Sequence, residues 1–117
     1  MQLARKDEPI TLPLLMSKIS EYDIYRYEIG DFSIGRAISN PLRKDTYPSF
    51  VIYMGESGHL FHRDYADERY RGGCIDLIMQ KYGLNYDGAL KKVAKDFGIV
   101  NRDSQEYLKI TSKYAKP

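Results

Sequence analysis

The chain has 117 residues, 43% of them hydrophobic and 29% charged, which predicts one soluble globular domain and excludes a disordered chain. Its net charge of +2, with acids interleaved among bases, permits nucleic-acid binding without demanding it; any positive patch has to come from folding. Cys74 is the only cysteine, so an internal disulfide and a multi-cysteine zinc site are excluded. The opening residues MQLARKDEP are charged and lack the apolar core of a signal peptide, and no apolar run approaches the roughly 20 residues of a membrane span. The expectation is a cytoplasmic protein with no membrane partner. Eleven tyrosines beside no tryptophan is uneven aromatic usage, and several of the tyrosines fall in loop-like stretches.

In chain order, residues 1–11 read as a flexible leader. Leu12 to Ile19 predicts a short helix with Pro13 in its first turn, where the missing N–H costs little. Ser20 has the spacing of an N-cap to Asp23, opening a helix from about Glu21 to Ile29 that stops at Gly30. The loose alternation of Phe32, Ile34 and Ile38 suggests a short strand around Gly35–Ile38. Asn40 to Phe50, NPLRKDTYPSF, cannot be helix interior or central strand, because Pro41 and Pro48 fix φ and lack donors. It is a rigid, charged loop.

That loop feeds a strand, Phe50 to Met54. Gly55 to Gly58 is a hairpin turn, and His59 to Tyr65 returns as the partner strand. Asp64 to Gly73, DYADERYRGG, reads as loop, and Cys74 to Tyr82 as a buried helix. Tyr86, Ala89, Leu90, Val93, Ala94 and Phe97 then form a continuous apolar stripe. Asn85 caps that helix and Gly98-Ile99 ends it. A basic tail from 101 to 117 is expected to hold one short helix around Glu106–Ser112 and would suit a linker. The fold class expected is α+β: a small antiparallel hairpin sheet packed against two C-terminal helices, with an N-terminal helical segment, all within 12–100.

The chemistry-bearing residues are few. His59 and His62, three apart on one strand, point to opposite faces and cannot easily share an ion. Cys74 reads as a small buried hydrophobe, with a reactive thiol at a helix start as the alternative. Asp64, Asp67 and Glu68, set among Arg63, Arg69 and Arg71, read as a solvated, self-neutralising loop rather than an acid–base or magnesium site. Gly72-Gly73 is a tight loop with N–H groups that a phosphate would suit. The stronger pattern is cationic and aromatic. Arg36, Arg43, Lys44, Arg63, Arg69 and Arg71 cluster around the hairpin, interleaved with Tyr47, Tyr53, Phe61, Tyr65 and Tyr70. Cations that follow a phosphate backbone and rings that stack on bases are what single-strand recognition uses.

Pro41, Pro48-Ser49-Phe50, Phe61-His62, Gly72 to Met79, Ala89-Leu90 and Phe97-Gly98-Ile99 occur in an order and spacing that resembles the zinc-binding domain at the N-terminus of bacterial and phage DNA primases. The resemblance covers Ile38 to Ile99. The family's metal ligands fall on Asn40, Arg43, Arg63 and on or near Ala66, beside a short insertion; none of these is an ordinary zinc ligand. The resemblance therefore implies a zinc-ribbon-like scaffold without its metal and without a cofactor. Arg43 or Arg63 is then expected to pair with Asp45, Asp64 or Asp67 where the metal cross-linked the family's knuckles. By function it implies a template-binding module of DNA replication, phage or mobile-element in character. Single-stranded DNA would be its ligand, and a primase polymerase domain or a replicative helicase its partner. No catalytic constellation is evident in the chain itself. The alternative is a protein-interaction or regulatory module on the same scaffold that has lost DNA binding; a small stand-alone enzyme ranks third.

Overall fold

The computed structural model describes residues 10–44 and 47–99. Within them the chain is α+β, with four helices and a three-stranded antiparallel sheet. It divides into two compact units, one spanning 19–89 and the other holding 10–18 and 90–99 among its described residues. Asp45, the greater part of the expected leader and the expected basic tail with its short helix lie outside the described residues. No described helix is long and apolar enough to cross a membrane.

The larger unit opens with a helix over Glu21–Ile29, labelled α2 because a shorter helix, α1 (Leu12–Met16), precedes it. Both halves of the capping box are made: Ser20 Oγ accepts from the Asp23 amide at 3.0 Å, and Asp23 Oδ2 accepts from the Ser20 amide at 3.1 Å. The helix buries Ile24, Tyr25 and Glu28. Gly30 ends it, as expected, with φ 83° and ψ −164°, a positive-φ turn outside the left-handed helical region.

The strand expected at Gly35–Ile38 is not formed. That segment makes a single bridge from Ile38 to Phe50, and the Gly35 amide donates to the Ile52 carbonyl at 2.7 Å. Gly35 has φ 86°, which breaks the extended run that the loose alternation had suggested. The segment instead runs along the outer edge of β1 (Phe50–Met54), giving two of that edge's carbonyls a donor.

β1 pairs with β2 (Leu60–Asp64) in the register Phe50↔Asp64, Ile52↔His62 and Met54↔Leu60. A third strand, β3 (Arg71–Gly72), pairs with β2 at His62↔Gly72 and Arg63↔Arg71. The sequence pattern predicts loop for this strand. It is too short to carry an alternation pattern, and one member is glycine. Gly72 has φ 130°, and a Cβ there would collide with the Asp76 side chain, so only glycine fits.

α3 (Cys74–Tyr82) follows at once, with Asp76 Oδ2 accepting from the Gly73 amide at 2.8 Å. That N–H is therefore taken, not left for a phosphate. Burial drives the Cys74 thiol pKa up to about 12, so the alternative of a reactive thiolate fails. Phe50, Ile52, Leu60, His62 and Asp64 are buried on one side of the sheet, where Tyr25 of α2 and Gln80 of α3 reach His62. The opposite parity carries Val51, Tyr53, Phe61, Arg63 and Arg71.

In the smaller unit α1 ends at Met16, short of the Ile19 expected; Thr11 Oγ1 caps it from the Leu14 amide at 3.3 Å, and Leu15 is buried. α4 (Tyr86–Asp96) is capped by Asn85 Oδ1, which accepts from the Gly88 amide at 2.7 Å. Its residues up to Ala89 belong to the larger unit and those from Leu90 to the smaller one. Beyond it the Ile99 amide donates to the Ala94 carbonyl at 2.8 Å and the Gly98 amide to the Lys95 carbonyl at 3.3 Å. With Gly98 at φ 67°, the expected stop at Gly98-Ile99 takes the form of a Schellman motif.

Candidate nucleic-acid interface

The loop that precedes β1 is fastened to the hairpin through one carboxylate. Asp64, at the end of β2, is fully buried. Its Oδ2 accepts from Asn40 Nδ2 at 2.8 Å and from Arg43 Nε at 3.1 Å and Nη2 at 2.9 Å; its Oδ1 accepts from the Ala66 amide at 2.8 Å. Burial alone would raise its pKa. The hydrogen bonds from Asn40, the Ala66 amide, Ser49 and Arg43 outweigh burial and hold the carboxyl down to about 2. Asn40 Oδ1 also accepts from the Leu42 amide at 2.7 Å, closing the turn around Pro41. Of the anticipated pairings Arg43 makes two, closely with Asp64 and more loosely with Asp67, whose Oδ2 lies 3.8 Å from its Nε; Arg63 pairs instead with Glu68.

Those contacts decide how the loop treats a metal. At the positions where the resemblance places ligands stand an amide and a guanidinium, both donating to Asp64. A guanidinium repels a cation and has no lone pair to offer. Among the described residues no three His, Cys, Asp or Glu side chains cluster to hold an ion. The residues present do not fit zinc.

Behind the sheet His62 links three elements. Gln80 Nε2 donates to the Arg71 carbonyl at 2.8 Å, which leaves Gln80 Oε1 to accept from His62 Nε2 at 2.8 Å. His62 Nδ1 then accepts from the Tyr25 hydroxyl, also at 2.8 Å. Burial lowers the His62 pKa, against the Gln80 hydrogen bond and the Asp76 charge, so the neutral ring is the stable form. His59 is exposed and lies 3.3 Å from Glu21. The two histidines share nothing.

The outward sheet face gathers Tyr53, Phe61, Arg63, Tyr65 and Arg71 from the cationic and aromatic residues expected to meet nucleic acid. Arg63 and Arg71 oppose each other, and Tyr53 opposes Phe61 with ring centroids 5.9 Å apart. The Arg63 guanidinium lies 4.8 Å from the centre of the Tyr65 ring. Tyr65 is 66% exposed and Tyr53 37%, while Phe61 is half-buried against Gly55. The remaining candidates are placed differently. Arg43 is held by Asp64, and Arg69 donates to Asp67 at 2.7 Å. Arg36, Lys44 and Tyr47 are exposed on the segments leading to β1, outside the paired strands. Tyr70 is half-buried beside Arg69.

Two features escaped the sequence reading. Asp64, expected in a solvated loop, shares parity with the buried Leu60 and His62, the signal that places it inside. Glu68 brings one oxygen, Oε1, to 3.9 Å from both Arg63 Nη2 and Arg71 Nη1. No family model, no curated protein and no solved structure matches this chain.

Proposed function

We propose that the chain is a single-stranded DNA-binding module acting in DNA replication, with the outward sheet face as its contact surface. The observation that carries this is the convergence of Tyr53, Phe61 and Tyr65 with Arg63 and Arg71 on one face of a three-stranded sheet. Exposed rings offer stacking platforms to bases of any sequence, and flanking guanidiniums offer charge to the backbone between them. The primase resemblance supplies the setting: a module that holds template while a separate polymerase domain or a replicative helicase acts on it. In this reading the Asp64 hub takes over the cross-link that zinc makes in that family, with an anion at the centre and donors around it.

Fluorescence titration of a labelled oligothymidylate against salt tests the proposal. Affinity is expected to fall steeply with ionic strength, with a log–log slope of about −0.7 for each phosphate contacted. Tyr65→Ala is expected to weaken binding by about 1–3 kcal/mol, the range for one stacked base. No binding to any single-stranded oligonucleotide at low salt would sink the idea.

A second reading has its own observation. Arg43 and Arg69 are each paired with an aspartate, and Arg63 and Arg71 share Glu68, so much of the basic cluster is neutralised from within. That favours a protein-interaction or regulatory module. It predicts salt-insensitive behaviour and loss of partner binding, not DNA binding, on Tyr65→Ala.

A further inference from the structure

Arg63 and Arg71 stand opposite each other on neighbouring strands, so their side chains leave the sheet on the same face. The Arg71 backbone is pinned there by Gln80, itself held by His62. Arg63 Nε is buried and finds no acceptor among the described residues. Among the described residues the carboxylate near both guanidiniums is Glu68, whose Oε1 lies 3.9 Å from each, beyond hydrogen-bond range. Glu68 is 73% exposed on the loop between β2 and β3, so its hold on the pair is weak and screened by water. Two forked donors around one loosely held oxygen make an anion seat with a poor occupant. A tetrahedral phosphate has more oxygens and can be met by both forks at hydrogen-bond length.

We propose that Arg63 and Arg71 form a phosphate seat and that Glu68 is its built-in competitor, which any phosphate must displace. This rests on the single-strand reading for its natural ligand, but the seat itself requires only a phosphate group. Glu68 then sets a threshold: isolated or weakly presented phosphates lose to it, while a phosphate delivered by a strand already stacked on Tyr65 wins.

The full chain, labelled with nitrogen-15, is titrated separately with inorganic phosphate and with a short oligothymidylate, following the arginine Nε signals. In wild type the Arg63 and Arg71 signals are expected to move with either probe. Glu68→Gln is expected to tighten both by about three- to tenfold, the size that two exposed ion pairs allow. Arg71→Gln is expected to weaken both by a similar factor, and Glu56→Gln, in the exposed hairpin turn, to change neither. Arg71→Lys keeps the charge without the fork and replaces Arg71→Gln if that variant melts early.

Equal effects of Glu68→Gln and Glu56→Gln, or phosphate shifts confined to other arginines, overturn the seat. Phosphate binding without oligonucleotide binding keeps the seat and removes the DNA reading. Oligonucleotide binding indifferent to Glu68→Gln and Arg71→Gln does the reverse.

Discussion

At Asp64 a carboxylate leaves water and receives in exchange an amide, a guanidinium and a backbone N–H, all at 2.8–3.1 Å. Each donor also loses its solvent, so the arrangement holds only while the acceptor remains. Asp64→Ala is expected to destabilise the fold by about 3–5 kcal/mol, as for other buried pairs broken from one side, measurable by urea unfolding. Tyr25→Phe removes the hydroxyl that donates to His62 and is expected to cost about 1–3 kcal/mol. Both groups tie stability to pH with the same sign. The folded His62 pKa lies below the ordinary 6.5, so the unfolded chain takes up a proton first. Its contribution is complete above pH 6.5 and is lost as pH falls through the lowered value. Asp64, lowered from 3.8 to about 2, contributes fully above pH 3.8 and loses that contribution as pH falls through about 2. Melting temperatures across an acid series should therefore fall in two stages, and His62→Gln should remove the first. A His62→Gln profile identical to wild type would disprove that assignment.

Among the elements, those with strong local chemistry were legible. Ser20 and Asp23 make their capping box, and Ser20→Ala should cost about 0.5–2 kcal/mol by thermal melting, since it leaves the Asp23 amide unpaired. The glycine-ended α4 and the β1–β2 hairpin likewise follow from residues adjacent in sequence. The failures have a common cause. Gly35–Ile38 contains enough apolar residues for a strand, but a strand exists only where a partner offers a ladder, and this segment gains one bridge. β3 contains almost nothing that favours a strand and exists because Asp64 and Tyr70 close the intervening loop, the Asp64 amide donating to the Tyr70 carbonyl at 2.9 Å. Gly72 sits at the tightest point of that closure. Gly72→Ala is expected to destabilise by more than the roughly 1–3 kcal/mol of a side chain held at positive φ, because Asp76 must also move and release the Gly73 amide. A Gly72→Ala melt within a degree of wild type would contradict this.

For the molecule as a whole the question is what holds the proline loop to the hairpin. If the Asp64 hub does so, a chelator should leave the melting temperature unchanged; a chelator-dependent drop with stoichiometric zinc would refute it. The sequence by itself determined the α+β class, the described helices and the central hairpin. These depend on periodicity, capping and turn chemistry, all carried by near neighbours in the chain. Tertiary structure alone decided which charges face each other. Arg43 and Arg63 look alike in sequence, yet one closes on a buried carboxylate and the other stands on an open sheet face beside Arg71. Coulomb interactions depend on distance and solvent exposure, and both are set by strand register and loop closure between residues 24 and 21 positions apart, as in Asn40–Asp64 and Arg43–Asp64.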